Sequence, residues 1–244
     1  MRGYRPVLSF GPDTAADYDA RNVRGDEAET VAFLAALAGD GPALELAIGT
    51  GRIAVPLAAR GVRVDGIELS PDMAAQLRAK PEAAGIGLTM GDFADVAVEG
   101  RYRLIYVVYN TFFNLLTQDE QVRCVQNVAA HLTDDGVFVI EAFTPDWLFR
   151  LRDHQYVDAE RVELDAVTLD VARHDPVQQV LVESHVTLGP AGVRVAPIVC
   201  RYCWPAELDL MARLAGLRLR SREGGWRGEA FTADSRRHIS VWGR

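Results

Sequence analysis

The sequence predicts an α/β protein: an open, mostly parallel sheet covered by helices on both faces, with one inserted antiparallel β unit. Three observations predict it. Short apolar runs alternate with helical patterns from Ala43 to Phe143, as parallel strands joined by crossover helices do. The helical period then vanishes between about Tyr156 and Cys203, where apolar and polar residues alternate. It returns at Pro205, ahead of two closing strands. With 244 residues, 49% of them hydrophobic, the chain is long enough for one large domain with an insertion.

The elements follow in order. The first 25 residues are polar and rich in Gly, Pro and Asp. The first clear helix runs from about Asp26 to Ala38, with Asp26 and Glu29 spaced as a capping box and Gly39 as its stop. Ala43 to Ile48 is the first strand; a helix to about Arg60 follows, with Pro56 near its first turn. Val62 to Ile67 is the second strand. Ser70 and Pro71 open the next helix as N-cap and first helical residue. Ile86 to Met90 and Arg103 to Tyr109 are the third and fourth strands. Thr117 and Glu120 form a capping box for a helix to about Leu132, and Asp134-Asp135-Gly136 turns the chain into a fifth strand, Val137 to Phe143. In the insertion, Val180, Val182, Val186 and Leu188 alternate with polar residues, and Gly189 to Gly192 is a turn before Val193. A helix from Pro205 to Ala215 stops at Gly216, and Leu217 to Arg222 and His238 to Trp242 pair antiparallel. The predicted division is residues 1–150 and 204–244 for the main domain and 151–203 for the inserted sheet.

A net charge of −8 and a single lysine, Lys80, argue against a nucleic-acid partner, because phosphate binding needs a basic face. No run reaches the roughly 18 apolar residues of a membrane span, and the Met1–Pro6 start has no secretory apolar stretch. A cytoplasmic location is the expectation. Cys124, Cys200 and Cys203 are an odd number, expected to be reduced. Cys200-Arg-Tyr-Cys203 lies in an alternating stretch where positions three apart face opposite ways, so no metal site is predicted.

In an open parallel sheet, ligands bind at the carboxyl ends of the strands. The first strand ends in Glu45-Leu-Ala-Ile-Gly49-Thr-Gly51, and glycines let backbone approach a ligand. The second ends in Glu68, 19 residues beyond Gly49, a carboxylate able to accept from a ribose diol. The third is followed by Gly91-Asp92-Phe93, an acceptor for an exocyclic amine beside an aromatic ring. The fourth ends in Tyr109 and Asn110, then Thr111 to Asn114.

Glu45 to Gly51, Gly66 to Met73 and Gly91 to Phe93, in this order and spacing, resemble the first three motifs of class I S-adenosylmethionine-dependent methyltransferases. The resemblance covers about residues 26–145. It implies a Rossmann-like, seven-stranded, mostly parallel sheet and S-adenosylmethionine as cofactor. By resemblance, Gly49 and Gly51 pass under the methionine part, Glu68 binds the ribose, Asp92 holds adenine, and Leu69 and Phe93 flank it. Glu45, Ala47, Met73, Gly91, Tyr109 and Asn110 complete the implied cofactor set. Ala47 replaces the first glycine of the usual motif. The inserted sheet resembles, in layout alone, that of glycine N-methyltransferases and of N-methyltransferases of nucleotide-linked amino sugars. It implies a lid and substrate wall, and a small-molecule acceptor such as a bacterial natural-product intermediate.

Three residues are candidates for the transfer step: Tyr18 as an N-terminal lid residue, Asn114 as a polar substrate contact, and His154 as a base at the pocket rim. Phe112, Phe113, Phe143 and Trp147 are candidates to line the cavity or fill the core. A sulfonium methyl is already activated, so placing the nucleophile about 3 Å from it is the main task. Two rivals stay open: a nicotinamide oxidoreductase on a similar sheet, although Ala54 stands where its fingerprint wants glycine, and a non-catalytic S-adenosylmethionine-binding module. The acceptor atom is open among nitrogen, oxygen and carbon, with nitrogen or oxygen the expectation, and the oligomeric state is open, a homodimer being one option.

Overall fold

The apolar runs form strands β1 (Ala43–Leu46), β2 (Val64–Glu68), β3 (Gly87–Met90), β4 (Tyr102–Val107) and β5 (Leu132–Phe143) in a computed structural model describing residue 4 and residues 6–244. All five are mutually parallel. Every residue of β1 is buried, because helices cover both faces of the sheet. The helices are α1 (Pro12–Arg21), α2 (Glu27–Ala38), α3 (Ala54–Ala58), α4 (Pro71–Arg78), α5 (Gln118–His131) and α6 (Pro205–Leu214). The insertion forms its own four-stranded antiparallel sheet: β6 (Gln155–Val162), β7 (Val167–Asp175), β8 (Val180–Gly189) and β9 (Gly192–Arg201). β10 (Arg218–Glu223) and β11 (Arg237–Gly243) close the main sheet as an antiparallel pair. Its order is β10-β11-β5-β4-β1-β2-β3. The order reverses between β1 and β4, and a crevice opens at their carboxyl ends. No helix among the described residues is long and apolar enough to cross a membrane.

Local chemistry sets most boundaries. Ser70 caps α4 by accepting from Met73 N, and Thr117 and Glu120 form the reciprocal box at the start of α5. At α2 the expectation fails: Asp26 makes no cap bond, and its carboxylate instead accepts from Arg237 at 2.5 Å. A long-range ion pair has taken the cap. The expected turn at Asp134–Gly136 is a bulge inside one long β5, whose register to β4 slips between Tyr102 and Leu104.

The polar start of the chain is more ordered than its composition suggests. A 3₁₀ turn (Pro6–Phe10) and α1 lie over the crevice. Only Ala15 of α1 is fully buried, so side-chain bonds hold the helix in place. Asp19 accepts from Thr50 Oγ1 and from Lys80 Nζ, both at 2.5 Å. Ser70 Oγ donates to Phe10 O at 2.6 Å. Ser9 Oγ donates to Pro197 O on β9, so the same segment also ties the second sheet down.

The turn after β1 is left-handed at three positions: Ala47 (φ 55°), Gly49 (φ 59°) and Gly51 (φ 81°). Alanine is strained there, glycine is not. Ala47→Gly is expected to raise stability by about 0.5–1 kcal/mol in urea denaturation. An unchanged midpoint would show that the turn stores no strain.

Candidate active site

Two cavities meet at the crevice. The first is walled by the strand ends and roofed by Phe10 and Tyr18. Glu45, Ala47, Gly49, Glu68, Leu69, Met73, Asp92, Phe93 and Tyr109 all line it, as does Asn114. Three other expected residues do not. Gly51 is required by packing, since a Cβ there would meet Leu77 Cδ1 at 2.4 Å. Gly91 lies beside the cavity with its N–H on Glu68 O. Asn110 is a left-handed residue (φ 62°) whose amide oxygen accepts from Phe143 N at 2.7 Å, and it opens on the second cavity.

Glu68 organises the first cavity. Its Oε2 accepts from Gly49 N at 2.8 Å and its Oε1 from Ser70 N at 2.7 Å. One carboxylate therefore fixes both the glycine turn and the start of α4. Burial pushes its pKa up, against the pull of these bonds. Gly49 faces Met73, where a Cβ would come within 3.2 Å of Cε. Asp92 has one oxygen on Ala94 N at 2.8 Å, a local cap.

The sequence reading did not single out Arg52. It lines the first cavity, its guanidinium 5.2 Å from the Tyr109 ring centre, and it pairs with Glu27 at 3.1 Å. Arg24 lies 4.7 Å from the same ring. Glu45 is buried and accepts from Tyr106 Oη at 2.9 Å. Burial pushes its carboxyl up to about 8. The first cavity thus offers a cation, Arg52, and an acid, Glu45, whose charged form burial disfavours.

The second cavity, about 440 Å³, shares Phe10, Tyr18, Tyr109, Thr111 and Asn114 with the first. Its far wall is the inner face of the inserted sheet: Thr168, Glu183, His185, Arg194, Ile198 and Cys200. Tyr18 and Asn114 lie where the cavities join. Asn114 lines both cavities. Burial, then the neighbouring Tyr109, raise the Tyr18 hydroxyl, so it stays protonated. Phe143 lines this cavity, whereas Phe112 and Phe113 are fully buried core.

His154 is a correction. It lines neither cavity and packs edge-on against His174, ring centres 5.8 Å apart. The chain passes through left-handed Asp153 and His154, which turns the ring away. The histidine in the second cavity is His185, which the sequence did not single out. With Asp170 and Glu183 it forms a cluster whose polar atoms lie within 4.8 Å of one another. The three cysteines are buried and unpaired, as expected; Cys200 faces the cavity and Cys203 packs on Gln121.

The chain is similar to known proteins in sequence and fold. A family model described as a methyltransferase domain matches residues 43–136. The CcbJ methyltransferase of Streptomyces caelestis is 37% identical; the match covers 98% of this chain and 99% of that one, with a TM-score of 0.91. The cypemycin N-terminal methyltransferase of a Streptomyces species is 28% identical over 203 residues, 81% of each chain. CalS10 of Micromonospora echinaspora, an amino pentose methyltransferase solved with its methyl donor, shares the fold at 23% identity and a TM-score of 0.69, over 93% of this chain and 94% of that one.

Proposed function

The chain belongs to the class I S-adenosylmethionine-dependent methyltransferases, and we propose that it methylates an amine nitrogen of a small natural-product intermediate. It is an enzyme with S-adenosylmethionine as its cofactor. The observation that carries the reading of the acceptor is the second cavity, which meets the first at Tyr18 and Asn114. At about 440 Å³ it is the size of a small-molecule site, where a bare binding module would need none. By their names, one relative is an N-terminal methyltransferase of cypemycin and another an amino pentose methyltransferase of calicheamicin biosynthesis.

The first cavity fits the cofactor by its chemistry. Glu68 would hold the ribose hydroxyls, Leu69 and Phe93 would flank the adenine, and Asp92 would accept from its amine. Backbone at Ala47 and Gly49 would hold the methionine part, and Glu45 and Arg52, an acid and a cation, would take its ammonium and carboxylate. Bound S-adenosylmethionine supplies a methyl activated by its sulfonium, open to in-line displacement. Tyr18 and Asn114, which line both cavities, would hold the acceptor nitrogen against that methyl and exclude water. Residues 151–203 act as the substrate subdomain against the cofactor domain formed by 1–150 and 204–244. The outer face of the inserted sheet exposes Val157, Val162, Val193 and Val195, each at least 58% accessible. This supports a homodimer, which light scattering would report as twice the chain mass. Three reduced, buried cysteines fit action in the cytoplasm.

Calorimetry with S-adenosylhomocysteine, then a methyl-transfer screen over amine and hydroxyl acceptors, tests the reading. Micromolar binding and transfer to amines are expected; quenching of NADH fluorescence without that binding would overturn it. The same titration tests Glu45. In the free protein its carboxyl is protonated below about 8. A bound ammonium stabilises the carboxylate, so binding releases a proton and affinity rises from pH 6 to 8. Affinity that is flat or falling over that range would remove Glu45 from the ammonium.

A further inference from the structure

We propose that Glu183 takes the proton from the acceptor's ammonium group, so that the substrate class of the second cavity is a cationic aliphatic amine. The inference rests on the methyl-transfer reading above and deepens it.

The register of the inserted sheet brings the group there. Asp170 stands opposite His185, Ala172 opposite Glu183, and Glu183 opposite Ile198. Directly opposed residues share a face, so β7, β8 and β9 aim Asp170, Glu183, His185 and Cys200 inward. His185 bridges two acids: its Nδ1 lies 2.9 Å from Glu160 and its Nε2 3.6 Å from Glu183. Asp170 accepts from Tyr156 Oη at 2.8 Å, while its other oxygen is buried with no partner among the described residues.

Three carboxyls thus crowd one wall, and the nearby arginines do not neutralise them. Arg161 reaches Glu163 at 3.6 Å. Arg21 and Arg194 turn to Asp17, at 2.5 and 3.9 Å. Burial first, then the charge of Asp170, push Glu183 up to about 7, with His185 pulling the other way. A carboxyl at that position exchanges protons readily at neutral pH. The rival groups on the wall do not: burial raises the Cys200 thiol to about 12, and the Tyr156 and Tyr18 hydroxyls stay protonated.

The step balances. A secondary ammonium, R₂NH₂⁺, gives one proton to the Glu183 carboxylate. The freed lone pair forms the nitrogen–methyl bond as the carbon–sulfur bond breaks, its electron pair going to sulfur. The product leaves as R₂NHCH₃⁺, and Glu183 returns its proton to water.

The test is a ¹³C-carboxyl titration of the glutamate-labelled protein loaded with S-adenosylhomocysteine. N-methylbenzylamine is the cationic probe, and benzyl methyl ether its neutral counterpart. One glutamate resonance with a midpoint near 7, absent from Glu183→Gln, is expected. The amine should lower that midpoint by about one pH unit, as a nearby cation does, and the ether should leave it in place. A Glu183 midpoint between about 4 and 5, or equal effects of amine and ether, would overturn the proposal. So would broadening of the resonance by micromolar Mn²⁺, which would make the cluster a metal site. Glu183→Gln should bind S-adenosylhomocysteine like the wild type, which also shows that it folds. If the wild type fails to bind it, the methyl-transfer reading falls instead.

Discussion

Glu68→Ala is expected to weaken S-adenosylhomocysteine binding at least a hundredfold. The argument starts from what the carboxylate does without ligand: Oε2 holds Gly49 N and Oε1 holds Ser70 N, at 2.8 and 2.7 Å. Each oxygen keeps a lone pair for a ribose hydroxyl. Bonds to a charged acceptor contribute about 1.5–3 kcal/mol each, so losing two costs about 3 kcal/mol or more. The alanine variant also leaves two N–H donors to water and frees the glycine turn. Glu68→Gln is expected to lose nearly as much, because its NH₂ would face one of those two donors. Calorimetry reads both, and the thermal midpoint of the unliganded variants separates a lost contact from a lost fold. Binding within threefold of the wild type would show that Glu68 only braces the turn.

The places of Glu68, Gly49 and Asp92 in the cavity wall were legible because each stands at the end of an apolar run, where local pattern and topology coincide. The capping boxes show the limits of such reading. Thr117 and Glu120 act within one turn, and the sequence places them correctly. Asp26 has a better partner 211 residues away, in Arg237, and no local pattern reveals it. Helix α1 was hidden for the same reason, its position depending on Thr50, Ser70 and Lys80 rather than on an apolar stripe. The inserted sheet gives the sharpest case. Its alternation was plain, but period two does not say which face turns inward. The usual reading buries the valines. Here Val182 and Leu188 face out, and Glu183, His185 and Thr187 line the cavity. His154 misled because it follows the fifth strand closely, while two left-handed residues carry it away from the crevice.

Glu141→Ala is the substitution expected to cost most in stability, about 3 kcal/mol or more in denaturant unfolding. Glu141 lies near the end of β5 at 3% exposure. Its Oε1 accepts from Arg24 at 2.7 Å and from Arg237 at 3.2 Å, and its Oε2 from Tyr109 N at 3.0 Å. Removing one member of a buried ion pair typically costs 3–5 kcal/mol, about the desolvation of the charge left behind. Both arginines are roughly a quarter exposed, at 24% and 28%, so partial rehydration favours the lower end of that range. A second effect adds to it. Tyr109 and Asn110 are both left-handed, at φ 59° and 62°. Glu141 holds them there by its carboxylate on Tyr109 N and by its own carbonyl on Asn110 N, at 3.2 Å. Only the first bond depends on the side chain, so releasing it lets Tyr109 relax out of the wall shared by both cavities. Adding Arg24→Met to Glu141→Ala should recover part of the stability, a coupling of about 0.5–3 kcal/mol, without restoring cofactor affinity. A loss under about 1 kcal/mol for the single variant would mean that solvent already screens the arginines and that the Tyr109–Asn110 strain is held by the sheet alone.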